Sequence, residues 1–135
     1  MPSPALLDTD ILSAVMRRDP AVFGRARSYL GAFGELTFSV VTQYEILRGL
    51  RHKGAARQIH DFEQLCRESH ILPLTQEIAT KAAEIHAHLK GRGTMIQDAD
   101  ILIAASARVH GLVVATNNET HYRRVPRLQI DNWLK

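Results

Sequence analysis

Apolar residues fall into five short runs of strand length, at 5–7, 36–41, 71–74, 112–116 and 128–130, and every interval between them carries a helical pattern. Strands alternating with helices imply βαβ units and a parallel sheet. Punctuation supports the same division. Asp19-Pro20 reads as a helix cap followed by proline at the first helical position, opening a helix to about residue 30. Gly91 and Gly93 close a helix that begins after Thr75, and Gly111 separates a helix at 99–110 from the fourth run. No repeat, low-complexity tract or long linker interrupts the pattern. The expectation is therefore a single domain over residues 1–135: a three-layer α/β/α fold with a central parallel sheet of about five strands.

Composition narrows the class further. A chain of 135 residues with 45% hydrophobic and 23% charged content suffices for one continuous core. Cys66 is the only cysteine, so no internal disulfide forms; the Met-Pro-Ser-Pro start has no basic or long apolar leader. A reducing, cytoplasmic setting is expected, and no apolar stretch is long enough to span a bilayer. Lysine and arginine total 17 against 14 acids, for a net charge of +3 and a pI near 9.4. A basic body around an acidic pocket suits a polyanionic substrate; a solvated basic surface explains the same excess more simply.

Four segments place polar groups beside apolar runs, where strands end or helices begin. The first is Leu7-Asp8-Thr9-Asp10. In a parallel sheet, functional groups collect beyond the carboxyl ends of strands, where Asp8 is expected, yet any of these three residues also suits a helix cap. Glu45 has a competing role too, because Thr42-Gln43-Tyr44-Glu45 reads as a capping box. Arg48, one turn on, either pairs with Glu45, an interaction worth about 0.2–0.5 kcal/mol, or meets a substrate phosphate. Arg51 extends the positive stretch, which also complements the helix dipole. Asp98 and Asp100 open an apolar helix, and two residues of separation turn them by roughly 200°. One is expected to cap the helix and the other to face the pocket. Asn117-Asn118-Glu119 follows the fourth run, where asparagine suits a turn through its tolerance of left-handed backbone. His121 stands nearby. The other histidines read as surface residues, without the spacing of a zinc site.

The order of these segments resembles the PIN-domain ribonucleases, most closely the VapC-type toxins of toxin-antitoxin pairs. The matching words are Leu7-Asp8-Thr9-Asp10-Ile11-Leu12, Tyr44-Glu45-Ile46-Leu47-Arg48-Gly49, Asp100-Ile101-Leu102-Ile103-Ala104-Ala105 and Thr116-Asn117-Asn118, followed by Tyr122, Val125-Pro126 and Trp133. The resemblance implies that Asp8, Glu45 and Asp100 bind metal, with Asp98 an accessory carboxylate or cap. Where many relatives carry a fourth acid this chain has Asn118, with Glu119 adjacent, and either is a candidate for that place. Asp10 replaces a more common asparagine and adds charge beside Asp8. Thr9 is implied to hydrogen-bond within the site, and Thr116 to support the carboxylates.

Crowded carboxylates raise one another's pKa unless a divalent cation enters, and all-oxygen ligands favour Mg²⁺ or Mn²⁺ over zinc. The expected activity is metal-dependent endoribonuclease cleavage of single-stranded or looped RNA. Two alternatives remain open. Asp8-Thr9-Asp10 also resembles the opening of haloacid-dehalogenase-type phosphatases, with Asp8 as the nucleophile. A PIN-like fold without activity would instead bind RNA or protein. By the resemblance, the partners are a small VapB-like antitoxin and a second copy in a homodimer. The apolar positions at 11–16 and 55–66 exceed a simple amphipathic stripe and suit either an additional surface for these partners or plain core packing.

Overall fold

In β1 (Ala5–Leu7) successive side chains enter opposite cores: Ala5 and Leu7 pack on one face and Leu6 on the other. A strand buried on both faces reads as a continuous apolar run, which is why it stands out in the sequence. The computed structural model describes residues 2–135. Four further strands, β2 (Thr37–Ser39), β3 (His70–Leu72), β4 (Val113–Ala115) and β5 (Ile130–Asp131), complete a parallel sheet of order β3-β2-β1-β4-β5. Between β1 and β2 lie α1 (Thr9–Met16) and α2 (Pro20–Phe33); α3 (Val40–Lys53) and α4 (Ala56–Arg67) precede β3. The return to β4 is made by α5 (Gln76–Gly91) and α6 (Asp98–His110), and the short α7 (Glu119–Tyr122) leads towards β5.

Two cores sandwich the sheet. Ile11, Val22, Ile46 and Phe62 from α1 to α4 meet Phe38 and Ala115 on one side, while Ile78, Ile85, Ile101 and Ile103 of α5 and α6 meet Leu6 and Val114 on the other. Each such fully buried side chain contributes about 1.5–3 kcal/mol by leaving water. The expected three-layer α/β/α arrangement is thus the one observed.

The boundaries depart from the apolar runs for local reasons. Ser39 ends β2 and its hydroxyl accepts the Val41 N–H at 3.0 Å, so Val40 and Val41 start α3 rather than extend the strand. β3 stops before Pro73, which has no N–H to give a neighbour. Asp19 and Thr75 cap α2 and α5 as their sequences indicate, and α2 continues to Phe33 before Gly34 turns left-handed at φ 80°. The expected left-handed asparagine is not found: Asn118 has φ −94°, and Arg18 and Arg127 are the non-glycine residues with positive φ among those described.

At 11–16, of the two readings, core packing is the one observed. Ile11, Leu12 and Ala14 are core residues because α1 packs against α2 and α3 in the same apolar cluster as Leu7, Phe38 and Ala115 of the sheet. In α4, Phe62 is buried and Leu65 and Cys66 are half-buried. The large apolar side chains left exposed are Phe23, Leu30, Phe33, Tyr44, Leu74 and Met95.

From β1 the chain steps outward through β2 to β3, then crosses back to place β4 on the far side of β1. The strand order reverses between β1 and β4, and a crevice opens beyond carboxyl ends at such a point. Leu7 pairs with Ala115. The residues that follow, Asp8 and Thr116, are therefore neighbours although 108 positions apart in sequence.

Candidate active site

Asp8 both caps α1 and enters the crevice. Its Oδ1 accepts the Ile11 N–H at 2.9 Å, and its Oδ2 accepts the Thr116 hydroxyl at 2.5 Å. The Thr116 hydroxyl in turn accepts the Asn118 N–H at 2.8 Å. Only 4% of Asp8 is exposed. Burial pushes its carboxyl from 3.8 up to about 7, the Asp10 and Asp100 charges push the same way, and the two hydrogen bonds oppose them.

Glu45 lies in the second turn of α3. Ser39 is the cap, so Thr42 is a buried helical residue and the expected capping box does not form. Instead the Thr9 hydroxyl donates to Glu45 Oε1 at 2.6 Å and stands 3.1 Å from the Thr42 hydroxyl. A side chain read as a local cap thus tethers two helices across the site.

Asp100, in the first turn of α6, accepts the Tyr122 hydroxyl on Oδ1 at 3.2 Å, and His121 Nδ1 stands 3.7 Å from Oδ2. Burial raises this carboxyl and the Glu45 charge adds to the rise, while Tyr122 and His121 oppose it. Ionisation of the buried Tyr122 hydroxyl is pushed strongly upward, first by burial and then by the charges of Asp100, Asp8 and Glu45.

The three acids therefore interact through space, although they come from residues 8, 45 and 100. Among the described residues they have no lysine or arginine ion-pair partner, and no three acidic, imidazole or thiol side chains stand close enough together to hold a metal ion as placed. Neighbouring carboxylates without a counter-charge suit a hard divalent cation, which would draw them closer.

The remaining candidates divide. Asn118 is half-buried, with Nδ2 2.7 Å from His121 Nδ1. Glu119 is committed elsewhere: Asn132, Lys135 and Arg123 bond its carboxylate at 2.8, 2.7 and 2.7 Å. The Asn132 bond and then Lys135 hold it below the usual carboxylate range. Asp98 is exposed and neither it nor Asp100 caps α6, a place taken by Gln97. Asp10 is exposed and acts on Asp8 through its charge.

Arg48 is exposed and stacks over the Tyr44 ring at 5.1 Å rather than pairing with Glu45. Both line a cleft of about 400 Å³ with Val40, Glu45, Leu74 and Leu102, and Arg51 lines the adjoining one. Sequence reasoning left Tyr122 without a site role and His121 undecided. Nothing in the spacing from Asp100 reveals that Tyr122 reaches it; that contact depends on how α7 packs on α6.

The profile of the PIN domain family matches residues 5–128. The chain is 30% identical to Ribonuclease VapC2 of Haemophilus influenzae, over 96% of this chain and 97% of that protein. It is equally 30% identical to the tRNA(fMet)-specific endonuclease VapC of Shigella flexneri, over 95% and 96% of the two. The structure of VapBC-1 from nontypeable Haemophilus influenzae superposes with a TM-score of 0.83 at 26% identity, covering 97% of this chain and 98% of that one.

Proposed function

Because the chain belongs to the PIN domain family, we propose that it is a divalent-metal-dependent endoribonuclease, the toxin of a toxin-antitoxin pair. The observation that carries this reading is that Asp8, Glu45 and Asp100 lie near enough for the Asp100 charge to act on Asp8 and the Glu45 charge on Asp100, each held by a different hydroxyl and none paired to lysine or arginine among the described residues. In this reading the three carboxylates hold Mg²⁺ or Mn²⁺, and Asn118 takes the fourth place because Glu119 is bound elsewhere. The ion supplies the Lewis acid that activates water and offsets charge on the scissile phosphate.

The chain's own groups do the rest. Thr116 and Thr9 orient Asp8 and Glu45 towards the crevice, from which the ion would draw them together with Asp100. Arg48 and Arg51 meet flanking phosphates of single-stranded or looped RNA, and the exposed Tyr44 ring offers a face to an unstacked base. For the antitoxin and a second copy of this chain, the exposed apolar side chains include Phe23, Leu30 and Phe33, which fall on one stripe of α2.

The phosphatase alternative has less support. Asp10, its general acid, is exposed, and the family matched is a nuclease fold rather than a haloacid-dehalogenase one. The purified chain, incubated with RNA, should cleave it when Mg²⁺ or Mn²⁺ is present and stop when EDTA is added. Asp8→Asn and Asp100→Asn should lose cleavage while keeping the wild-type circular dichroism. Full activity in either variant refutes the site. RNA binding that ignores EDTA, with no cleavage on Mn²⁺ addition, favours the inactive binding module, and a trapped phosphate on Asp8 favours the phosphatase.

A further inference from the structure

Tyr122 has none of its surface exposed and belongs to the same core as Ile96, Ile101 and Val125. Phenylalanine would fill that volume without bringing in a hydroxyl that needs a partner. The partner is Asp100 Oδ1, at 3.2 Å. Two neighbours of Tyr122 reach the same stretch of chain. His121 Nδ1 lies 3.7 Å from Asp100 Oδ2, and Arg124 Nη1 donates to the Met95 carbonyl at 3.1 Å. A single turn after β4 therefore touches the start of α6 and the residues just before it at three points.

Asp8 and Glu45 each receive a threonine hydroxyl from within the crevice. Asp100 receives its hydroxyl from the core instead, so its carboxylate is fixed relative to the packed body of the protein. With Oδ1 engaged, Oδ2 is the oxygen left without a hydroxyl donor among the described residues.

We propose that Tyr122 is a positioning residue for the metal site: it acts through Asp100, holding that carboxylate ready for a divalent cation, and touches neither ion nor RNA. This rests on the metal-dependent reading above. Partners that orient a ligand from behind typically change metal affinity by about 10- to 100-fold when removed.

The test compares wild type with Tyr122→Phe, which keeps the ring and removes only the hydroxyl. Mn²⁺ binding is measured by titration calorimetry without RNA, alongside melting of the metal-free proteins and RNA cleavage across a Mn²⁺ series. Mn²⁺ affinity should fall about tenfold, the Mn²⁺ concentration for half-maximal cleavage should rise by a similar factor, and KM for RNA should stay unchanged. Equal Mn²⁺ affinity in the two proteins overturns the inference, even if the variant melts lower, because a purely structural hydroxyl would give that pattern. Failure of wild type itself to bind Mn²⁺ overturns the metal reading and the inference together.

Discussion

Asp8 shows how one side chain serves both folding and chemistry. Its cap bond and its Thr116 bond do not offset the cost of burying a charge, so its carboxyl titrates near 7 in the folded protein against 3.8 for the free group. The folded state thus binds this proton more tightly than the unfolded chain does. That contribution to stability is complete below pH 3.8 and is lost as pH rises through about 7. At 1.36 kcal/mol per pH unit the loss is on the order of a few kcal/mol. In EDTA, Asp8→Asn should therefore melt higher than wild type at pH 8, since asparagine keeps a good cap, and the difference should shrink towards pH 4. A melting gap that does not change with pH would contradict the burial argument. Thr116→Val removes a hydroxyl bonded to this charge and should cost about 1.5–3 kcal/mol in urea denaturation. Asp8 was a legible candidate because it ends an apolar run, but its two roles could not be separated in sequence.

Helix starts are where local sequence was read well, and also where it misled. Asp19 caps the helix it was expected to cap, and the helix expected to begin after Thr75 does so with Thr75 as its cap, because a cap needs only its own side chain and an N–H two or three residues on. Thr42 offered an equally good cap pattern, yet Ser39, three residues earlier, takes the position as the chain leaves β2. The choice between two adequate caps was settled by where the sheet ends. Thr75→Ala, remote in sequence from the three acids, should cost about 1 kcal/mol of stability and leave RNA cleavage at low temperature unchanged; thermal melting and an RNA digest would check the two halves.

Over the whole molecule the net charge is +3, while Asp8, Glu45 and Asp100 have no lysine or arginine ion-pair partner among the described residues. Arg48 lines a cleft with Glu45 and Arg51 lines the adjoining one, so replacing both with alanine should raise KM for RNA while leaving kcat near wild type. If each contacts one phosphate, the slope of log affinity against log salt should fall by about 0.7 per arginine lost. An unchanged slope, measured by RNA-binding titrations at several salt concentrations, would remove these arginines from the substrate path.

The sequence by itself determined the alternation of strands and helices, the ends of a few helices, and the presence of acids beside apolar runs, because each depends on residues within a few positions of one another. Tertiary structure decided which acids meet and what holds them. The step from β3 back across the sheet brings Asp8 beside Thr116, and the packing of α7 on α6 brings Tyr122 to Asp100. Contacts between such distant positions arise from strand order and core packing, and no local pattern of residues encodes them.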